Sequence, residues 1–301
     1  MSNDNSEFSK FKKKFTLRIR DELEKKFILN NDSNNILESM KYSSLNGSKY
    51  IRSLLAYATG SALNINPKFI DQPAIAIELI HTYSLIHDDL PCMDDDDIRR
   101  GLPSCHIKFS ESTAILAGDA LQSMAFEVLS ANNYDEINDK VRLDWINYLS
   151  RSIGYNGIAG GQFLDLSINN RSTELDVLNH IYDLKTSSLI KACIVMPAML
   201  KIDLGDQIFK KFEEFGRILG ISFQIKDDLL GYTMSSEVLG KTQNKDELRN
   251  QPNYVNILGV DNTKKKFTLR IRDELEKKFI LNNDSNKILE SMKYSSLNGS
   301  K

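Results

Sequence analysis

The densest group of chemically capable side chains in this sequence is an acidic segment of ten residues. It reads Asp88-Asp89-Leu90-Pro91-Cys92-Met93-Asp94-Asp95-Asp96-Asp97 and carries six carboxylates. Carboxylates this close repel one another, and beside an apolar helix they are costly unless cations neutralise them. Ligands that are all oxygen favour Mg²⁺. The segment therefore predicts a magnesium site, the alternative being a solvated acidic turn, which is what a charge run usually forms.

Two features of the sequence bear on how such a site is built. On an ideal helix Asp88 and Asp94 would point about 240° apart, so we expect Pro91 to kink or bulge the helix and bring both to one ion. A second acidic pair, Asp227-Asp228, follows another apolar stretch. Two acidic helix positions are the arrangement that can hold several Mg²⁺ ions around one diphosphate, although the second pair alone would be weak evidence.

The elements that must position these residues are predicted to be helices. Phe15, Ile19, Leu23 and Phe27 recur at four-residue spacing, as on an amphipathic helix, and the stretch 73–90 is apolar almost all round. Helical spacing recurs at 113–129, 177–200 and 209–230, and no run of alternating strands competes with it. With 41% apolar residues, 6 prolines and no linker-like stretch, we predict one large all-α domain spanning residues 1–301.

Composition and charge exclude several classes of protein. Lys plus Arg number 39 against 41 for Asp plus Glu, so no overall field attracts nucleic acid or an anionic membrane. The three cysteines are an odd number without metal-site spacing, which favours reduced thiols. No apolar run reaches the length of a membrane helix, and the N-terminus has no basic region followed by an apolar stretch. We expect a soluble, cytoplasmic protein that does not insert stably into membranes.

The sequence also contains a duplication. Residues 12–49 recur as residues 264–301, and the two copies differ only where Asn35 becomes Lys287. Solenoid repeats diverge and occur several times, so two nearly identical, distant copies favour a recent recombination, construction or assembly event over an evolved repeat architecture. The second copy can form an amphipathic helix through Phe267, Ile271, Leu275 and Phe279.

The motifs resemble those of the trans-polyprenyl diphosphate synthases, most closely the bacterial farnesyl type. Residues 88–94 resemble the family's first aspartate-rich motif, in the form with two extra residues, and residues 223–228 resemble the second. Further matches occur in the family's order and spacing at 47–52, His81, 105–109, 117–122, 160–162 with Asp165, 185–186 and 239–242. The resemblance covers the chain from about residue 10 to Gly259. It implies an isoprenoid-synthase bundle of about ten or more helices around a central cavity, usually as a homodimer.

The resemblance implies a prenyltransferase that joins isopentenyl diphosphate to dimethylallyl or geranyl diphosphate, giving farnesyl diphosphate with about three Mg²⁺ ions per active site. The implied metal ligands are Asp88, Asp89, Asp94 and Asp227. Asp228 and Lys185 join these four in the implied catalytic set. The implied substrate contacts are Gly47, Lys49, Arg52, His81, Arg99, Arg100, Lys185, Thr186, Gln224 and Lys241.

Each of these roles has a plainer alternative. His81 could be a hydrogen-bonded core histidine, and Lys185 and Lys241 could be surface lysines. Gly160-Gly161 could equally be a close packing point between helices.

Product length is expected to depend on Tyr83, five residues before Asp88 and so more than one helical turn along the wall. The resemblance implies that a bulky aromatic there stops chain growth near farnesyl, whereas the neighbouring Ser84 is too small to add to the block.

The chain also departs from the family pattern. Gly231 stands where a third aspartate is usual, Tyr50 and Ser53 replace Arg and Pro, and the second copy, residues 264–301, replaces the usual closing helices. The alternatives are a geranylgeranyl diphosphate synthase, against which Tyr83 argues, and an impaired homologue that serves as a partner subunit. A terpene cyclase would not need the grip on a second diphosphate that Gly47, Lys49 and Arg52 offer.

Overall fold

The computed structural model describes residues 4–28, 35–168, 173–201, 204–233 and 252–269. It divides into two compact units, Met1–Ile146 (unit 1) and Asn147–Lys301 (unit 2), and the boundary falls inside a helix, α7 (Asp139–Ile153). The described residues form more than ten helices and one two-stranded hairpin. The predicted all-α class is therefore confirmed. None of the helices in these ranges has the length and apolarity that crossing a membrane requires.

Unit 1 is built around one buried helix. Its helices are α1 (Asp4–Lys26), α2 (Asn35–Leu45), α3 (Ile51–Ala62), α4 (Pro67–Asp88), α5 (Cys105–Lys108) and α6 (Glu111–Ser130). Asn66 caps the start of α4 by accepting a hydrogen bond from the Lys68 N–H, and Pro67 occupies the first helical position, where no N–H is needed. Most of α4 from Ile70 to Ile80 is buried, and it packs on α3 and α6, as its nearly all-apolar sequence predicts.

Helix α1 is attached to α4 by apolar packing and by one ion pair. Its four predicted stripe residues, Phe15, Ile19, Leu23 and Phe27, are all at most 5% exposed. The Arg18 guanidinium donates to both carboxylate oxygens of Asp71, at 2.7 and 2.5 Å. The Tyr57 hydroxyl of α3 donates to the same carboxylate at 2.7 Å, so one buried aspartate ties three helices together.

A short hairpin lies between α4 and α5. Strand β1 (Ile98–Arg99) pairs antiparallel with β2 (Leu102–Pro103), with Ile98 opposite Pro103. The two turn residues, Arg100 and Gly101, have φ of 56° and 77°, which is the left-handed pair that a tight two-residue hairpin uses. Two-residue strands leave too short a pattern for the sequence to indicate, so the hairpin was not predicted.

Unit 2 is assembled around a long helix. Its elements are α8 (Ile158–Ser167), α9 (Leu175–Tyr182), a π-helical segment (Asp183–Ser187), α10 (Ser188–Ala198), α11 (Asp206–Thr233), α12 (Tyr254–Leu258) and α13 (Val260–Leu269). One buried cluster joins α9, α11 and α12 through Leu178, Ile221, Ile225 and Tyr254. The predicted helical stretch 177–200 is thus interrupted by one π-helical turn, of a kind often found at functional sites.

The second copy of the duplicated segment begins inside α13. Lys264–Leu269 is helical, as the matching residues of the first copy are in α1. Phe267 packs against the buried cluster of unit 2, whereas its counterpart Phe15 stacks on Tyr57 in unit 1 at 4.6 Å between ring centroids. The rest of the predicted second amphipathic helix lies outside the described residues, and the single-domain interpretation stays a prediction.

Candidate active site

The acidic segment does not continue α4 through a kink. Helix α4 ends at Asp88, and the chain then folds back on itself, so that the Asp94 N–H donates to the Asp88 carbonyl at 2.8 Å. Pro91 has no N–H and disfavours helical backbone in the preceding residue, which explains why the helix ends here and does not bend. The expected kink was wrong. The backbone of Asp94 nevertheless lies against that of Asp88, and the binding of one ion by both carboxylates stays a prediction.

Asp89 is held in an ion pair. Its carboxylate is 2% exposed and accepts from the Arg99 Nε at 2.9 Å, with a second contact from the guanidinium Nη2. Asp96 lies 3.3 Å from the same guanidinium. Burial raises the pKa of Asp89, and the hydrogen bond from Arg99 opposes that rise. The predicted ligand Asp89 and the predicted diphosphate contact Arg99 are therefore partners of each other in the ligand-free chain.

Cationic groups gather near the end of α4. The Arg52 guanidinium lies 2.9 Å from the His81 Nε2. The pKa of His81 falls well below its usual value, first because the ring is buried and then because Arg52 and Arg100 are close. The pKa of Arg100 is lowered in turn by burial and by neighbouring arginines. A neutral histidine among guanidinium groups is a place where an anion would be stabilised.

Gly47 brings the chain close to this cationic group. It adopts a φ of 66°, and a Cβ added there would lie 2.8 Å from the Cβ of Arg100. A larger residue would therefore push the arginine away. Lys49, two residues on, is exposed. The structure thus brings Gly47, Arg52, His81 and Arg100 together in unit 1, and their binding of a diphosphate stays a prediction.

The two departures near this group are accommodated in the core. Tyr50 is 4% exposed, its hydroxyl donates to the Ser44 carbonyl at 3.3 Å, and burial raises its pKa to about 12. The Ser53 N–H donates to the carboxylate of Glu78, a buried residue of α4, at 2.9 Å. Proline, the family's usual residue at this position, has no N–H to offer. Tyr50 therefore adds no charge to the cationic group, and Ser53 has acquired a structural contact of its own.

A small cleft on unit 1 borders the ion pair, and its lining includes Asp89, Arg99, Arg100, Tyr42 and Cys105. Burial raises the pKa of Cys105, so the thiol is held in its neutral form rather than activated as a nucleophile.

In unit 2 the predicted substrate contacts lie on the π-helical segment. The Lys185 Nζ donates to the Asp165 carboxylate at 2.5 Å, and the Thr186 hydroxyl donates to the Gln224 amide oxygen at 3.0 Å. A Cβ added at Gly161 would lie 2.3 Å from the backbone nitrogen of Lys185. Gly161 is therefore a close packing point between α8 and this segment. The sequence includes Asp165 in a motif but gives it no role, and its spacing from the glycine pair is the only signal for it.

The second acidic pair of α11 is divided between two environments. Asp227 is exposed, whereas Asp228 is 4% exposed. The Asp228 carboxylate accepts from the Tyr182 hydroxyl at 2.8 Å and from the Tyr254 N–H at 3.0 Å. It thus joins α9, α11 and α12. Gly231 follows Asp227 by four residues on the same helix face, and a Cβ there would meet nothing within 4 Å in the described part of the chain.

Tyr83 is a buried residue of α4, the helix that packs on α6. It is 9% exposed, and its ring meets that of His87 edge to face at 5.7 Å between centroids. Burial raises its pKa. Ser84 points its hydroxyl back to the His81 carbonyl at 2.9 Å. Tyr83 is thus a rigid aromatic residue on α4, while Lys241 lies outside the described residues.

Comparison with known proteins gives one family. The model of the polyprenyl synthetase family matches residues 33–292. The farnesyl diphosphate synthase of Escherichia coli is 42% identical over 231 residues, which are 77% of this chain and 77% of that protein. Among solved structures, a geranyltransferase from Legionella pneumophila superposes with a TM-score of 0.85 at 29% identity, over 98% of this chain and 99% of that one. A Helicobacter pylori geranyltransferase complexed with magnesium and isoprenyl diphosphate gives 0.85 at 30% identity, over 99% and 98%.

Proposed function

Because this chain belongs to the polyprenyl synthetase family, we propose that it is a farnesyl diphosphate synthase acting on isopentenyl diphosphate and an allylic diphosphate. The observation that carries the proposal is the neighbourhood of α4. There an acidic segment folds back on itself, and Arg52, His81 and Arg100 gather close by. The acidic segment can hold cations, and the three cationic or polar side chains can hold an anion. A reaction between two diphosphates requires both.

Members of this family depend on a metal ion, and an aspartate-rich segment, residues 88–97, is present in this chain. The donor set fits Mg²⁺, because Asp88, Asp94 and Asp227 are carboxylates that are not fully buried. We propose that these three, with Asp89, hold about three ions as the resemblance implies. Bound Mg²⁺ would supply the positive charge that stabilises the departing diphosphate oxygens.

The chain's own residues have distinct tasks in this proposal. Lys185 and Arg99 each sit in an ion pair that a diphosphate would replace, so substrate oxygens would take over from Asp165 and Asp89. Gly47, Lys49, Arg52, His81 and Arg100 would grip the second diphosphate. His81 is neutral near pH 7, since its pKa is lowered, and it therefore orients Arg52 without adding charge. Thr186, Gln224 and Lys241 would complete the allylic site, and Asp228 would position α11.

The test is turnover by the purified full chain. Labelled isopentenyl diphosphate is supplied with geranyl diphosphate, with and without Mg²⁺, and the products are separated by chain length. We expect Mg²⁺-dependent farnesyl diphosphate. A geranylgeranyl product would reassign the enzyme, and no turnover would leave the partner-subunit interpretation. Asp88→Asn should abolish the reaction, while Asp135→Asn, an exposed aspartate outside both acidic motifs, is the matched control.

Two coarser proposals accompany this one. We infer a homodimer from the family resemblance, and sedimentation velocity of the full chain would contradict it by giving a single monomeric species. We also propose a cytoplasmic location, supported by the three free cysteines Cys92, Cys105 and Cys193. Localisation of a tagged chain in cells would test it.

A further inference from the structure

A second cluster of possible metal ligands lies beside the acidic segment. A ring nitrogen of His106 and one carboxylate oxygen each from Asp95 and Asp97 all lie within 4.8 Å of one another. None of these three belongs to the set assigned to the substrate's Mg²⁺. Asp96, which lies between these two aspartates in the sequence, is not part of the cluster and pairs with Arg99. Asp95 and Asp97 are exposed, so the cluster is open to ions from solvent.

His106 is the observation that separates this cluster from an ordinary acidic turn. It is 7% exposed, and its Nε2 is buried without a hydrogen-bond partner among the described residues. Leaving a buried imidazole nitrogen without a partner destabilises the folded chain. Its Nδ1 is hydrogen bonded to the Ser104 hydroxyl at 3.2 Å. Histidines that bind metals are typically fixed by a hydrogen bond to the ring nitrogen that does not bind the ion, so Nε2 is the nitrogen of His106 that would bind it.

The geometry is compatible with a bound ion after a small closure. Two donors that each lie about 2.0–2.2 Å from Zn²⁺ can be at most about 4.4 Å apart. The present spread of up to 4.8 Å exceeds this limit by about 0.4 Å, so a bound ion would require only a small closure of the three ligands. One imidazole with two carboxylates suits Zn²⁺ and its first-row neighbours, whereas Mg²⁺ prefers oxygen ligands alone.

We propose that Asp95, Asp97 and His106 form a site for a transition-metal dication of the Zn²⁺ class, distinct from the Mg²⁺ that accompanies substrate. The ion would tie the end of the acidic segment to the start of α5. Asp94 directly precedes the ligand Asp95, and Arg99 lies between Asp97 and His106 in the chain. An occupied site would therefore restrict the loop that carries Asp94 and Arg99. The proposal rests on unit 1 alone and does not depend on the proposed reaction.

Zinc binding by the full, metal-free chain tests the proposal. Zn²⁺ is titrated against a chromophoric competitor with excess Mg²⁺ and without any diphosphate. We expect one Zn²⁺ per chain, and at least about a tenfold loss of affinity in His106→Gln. Asp97→Asn should weaken binding similarly, and its exposed position keeps the test valid if His106→Gln fails to fold. His180→Gln, which alters an exposed histidine of α9, is the matched control.

Three outcomes would overturn the proposal. Unchanged affinity in Asp97→Asn and in a folded His106→Gln would exclude the cluster, and an equal loss in His180→Gln would indicate unspecific surface binding. A loss of Zn²⁺ affinity in Asp88→Asn as large as that in Asp97→Asn would place the ion at the substrate's own metal ligands.

Discussion

Replacing Tyr83 by alanine is expected to lengthen the product and to weaken unit 1. The change removes about seven non-hydrogen atoms from a packed position between α4 and α6, a volume comparable with one isoprene unit. Truncating a buried aromatic side chain to alanine lowers the free energy of unfolding by about 3–5 kcal/mol. This range includes the cost of the cavity left behind.

These magnitudes define the experiment. A loss of about 4 kcal/mol lowers the unfolding midpoint by roughly 8–16 °C for a protein of this size class, so turnover is measured well below the midpoint of the variant. Chromatography of the products should then give a geranylgeranyl or longer species in addition to farnesyl diphosphate. Tyr83→Phe is the matched control, because it keeps the ring and loses only the hydroxyl. It should lower the unfolding free energy by about 1 kcal/mol and leave the product unchanged.

The reasoning fails if folded Tyr83→Ala makes the same products as the original chain. Tyr83 would then be a packing residue of α4 without a role in chain length. It also fails if Tyr83→Phe lengthens the product as much as alanine does, because the hydroxyl and not the ring would then be the block.

Three further substitutions test particular contacts. Gly231→Asp returns a carboxylate to the face of α11 that carries Asp227, so the Mg²⁺ concentration for half-maximal rate should fall; an unchanged Mg²⁺ requirement would contradict this. Gly161→Ala puts a methyl group 2.3 Å from the Lys185 nitrogen and should lower the unfolding free energy by about 1–3 kcal/mol, in contrast to Gly231→Ala, which meets open space; equal unfolding midpoints would refute the packing argument. Ser53→Pro removes the N–H that bonds a buried glutamate and should cost about 1–3 kcal/mol, while Ser53→Ala keeps it; calorimetry that finds the two variants alike would exclude the contact.

The sequence predicted the helices because their apolar spacing extends over many turns. Phe15, Ile19, Leu23 and Phe27 are buried as the four-residue period requires, and α4 is buried where its sequence is apolar all round. Long periodic segments are read reliably because each added turn repeats the same signal. Four residues that the family motifs single out, Gly47, Arg52, His81 and Arg100, also lie together in unit 1.

Contacts between residues far apart in the chain could not be read in this way. Nothing in the sequence indicates that Asp89 and Asp228, which both look like metal ligands, are held by Arg99 and by Tyr182. The pairing depends on a hairpin of two-residue strands in the first case and on helix packing in the second. Local sequence propensity cannot predict either contact, because both contacts are set by tertiary structure.

The central claim is that Asp88 and Asp227 act on one diphosphate through shared ions, and a double-mutant cycle tests it most directly. Mg²⁺-dependent binding of a thiolo analogue of geranyl diphosphate, which does not ionise, is measured by calorimetry for the original chain, Asp88→Asn, Asp227→Asn and the double variant. Ligands of one ion cluster should couple, so we predict that the double variant loses at least about 1 kcal/mol less than the sum of the single losses. Losses that add within about 0.5 kcal/mol would mean independent sites and would contradict the claim.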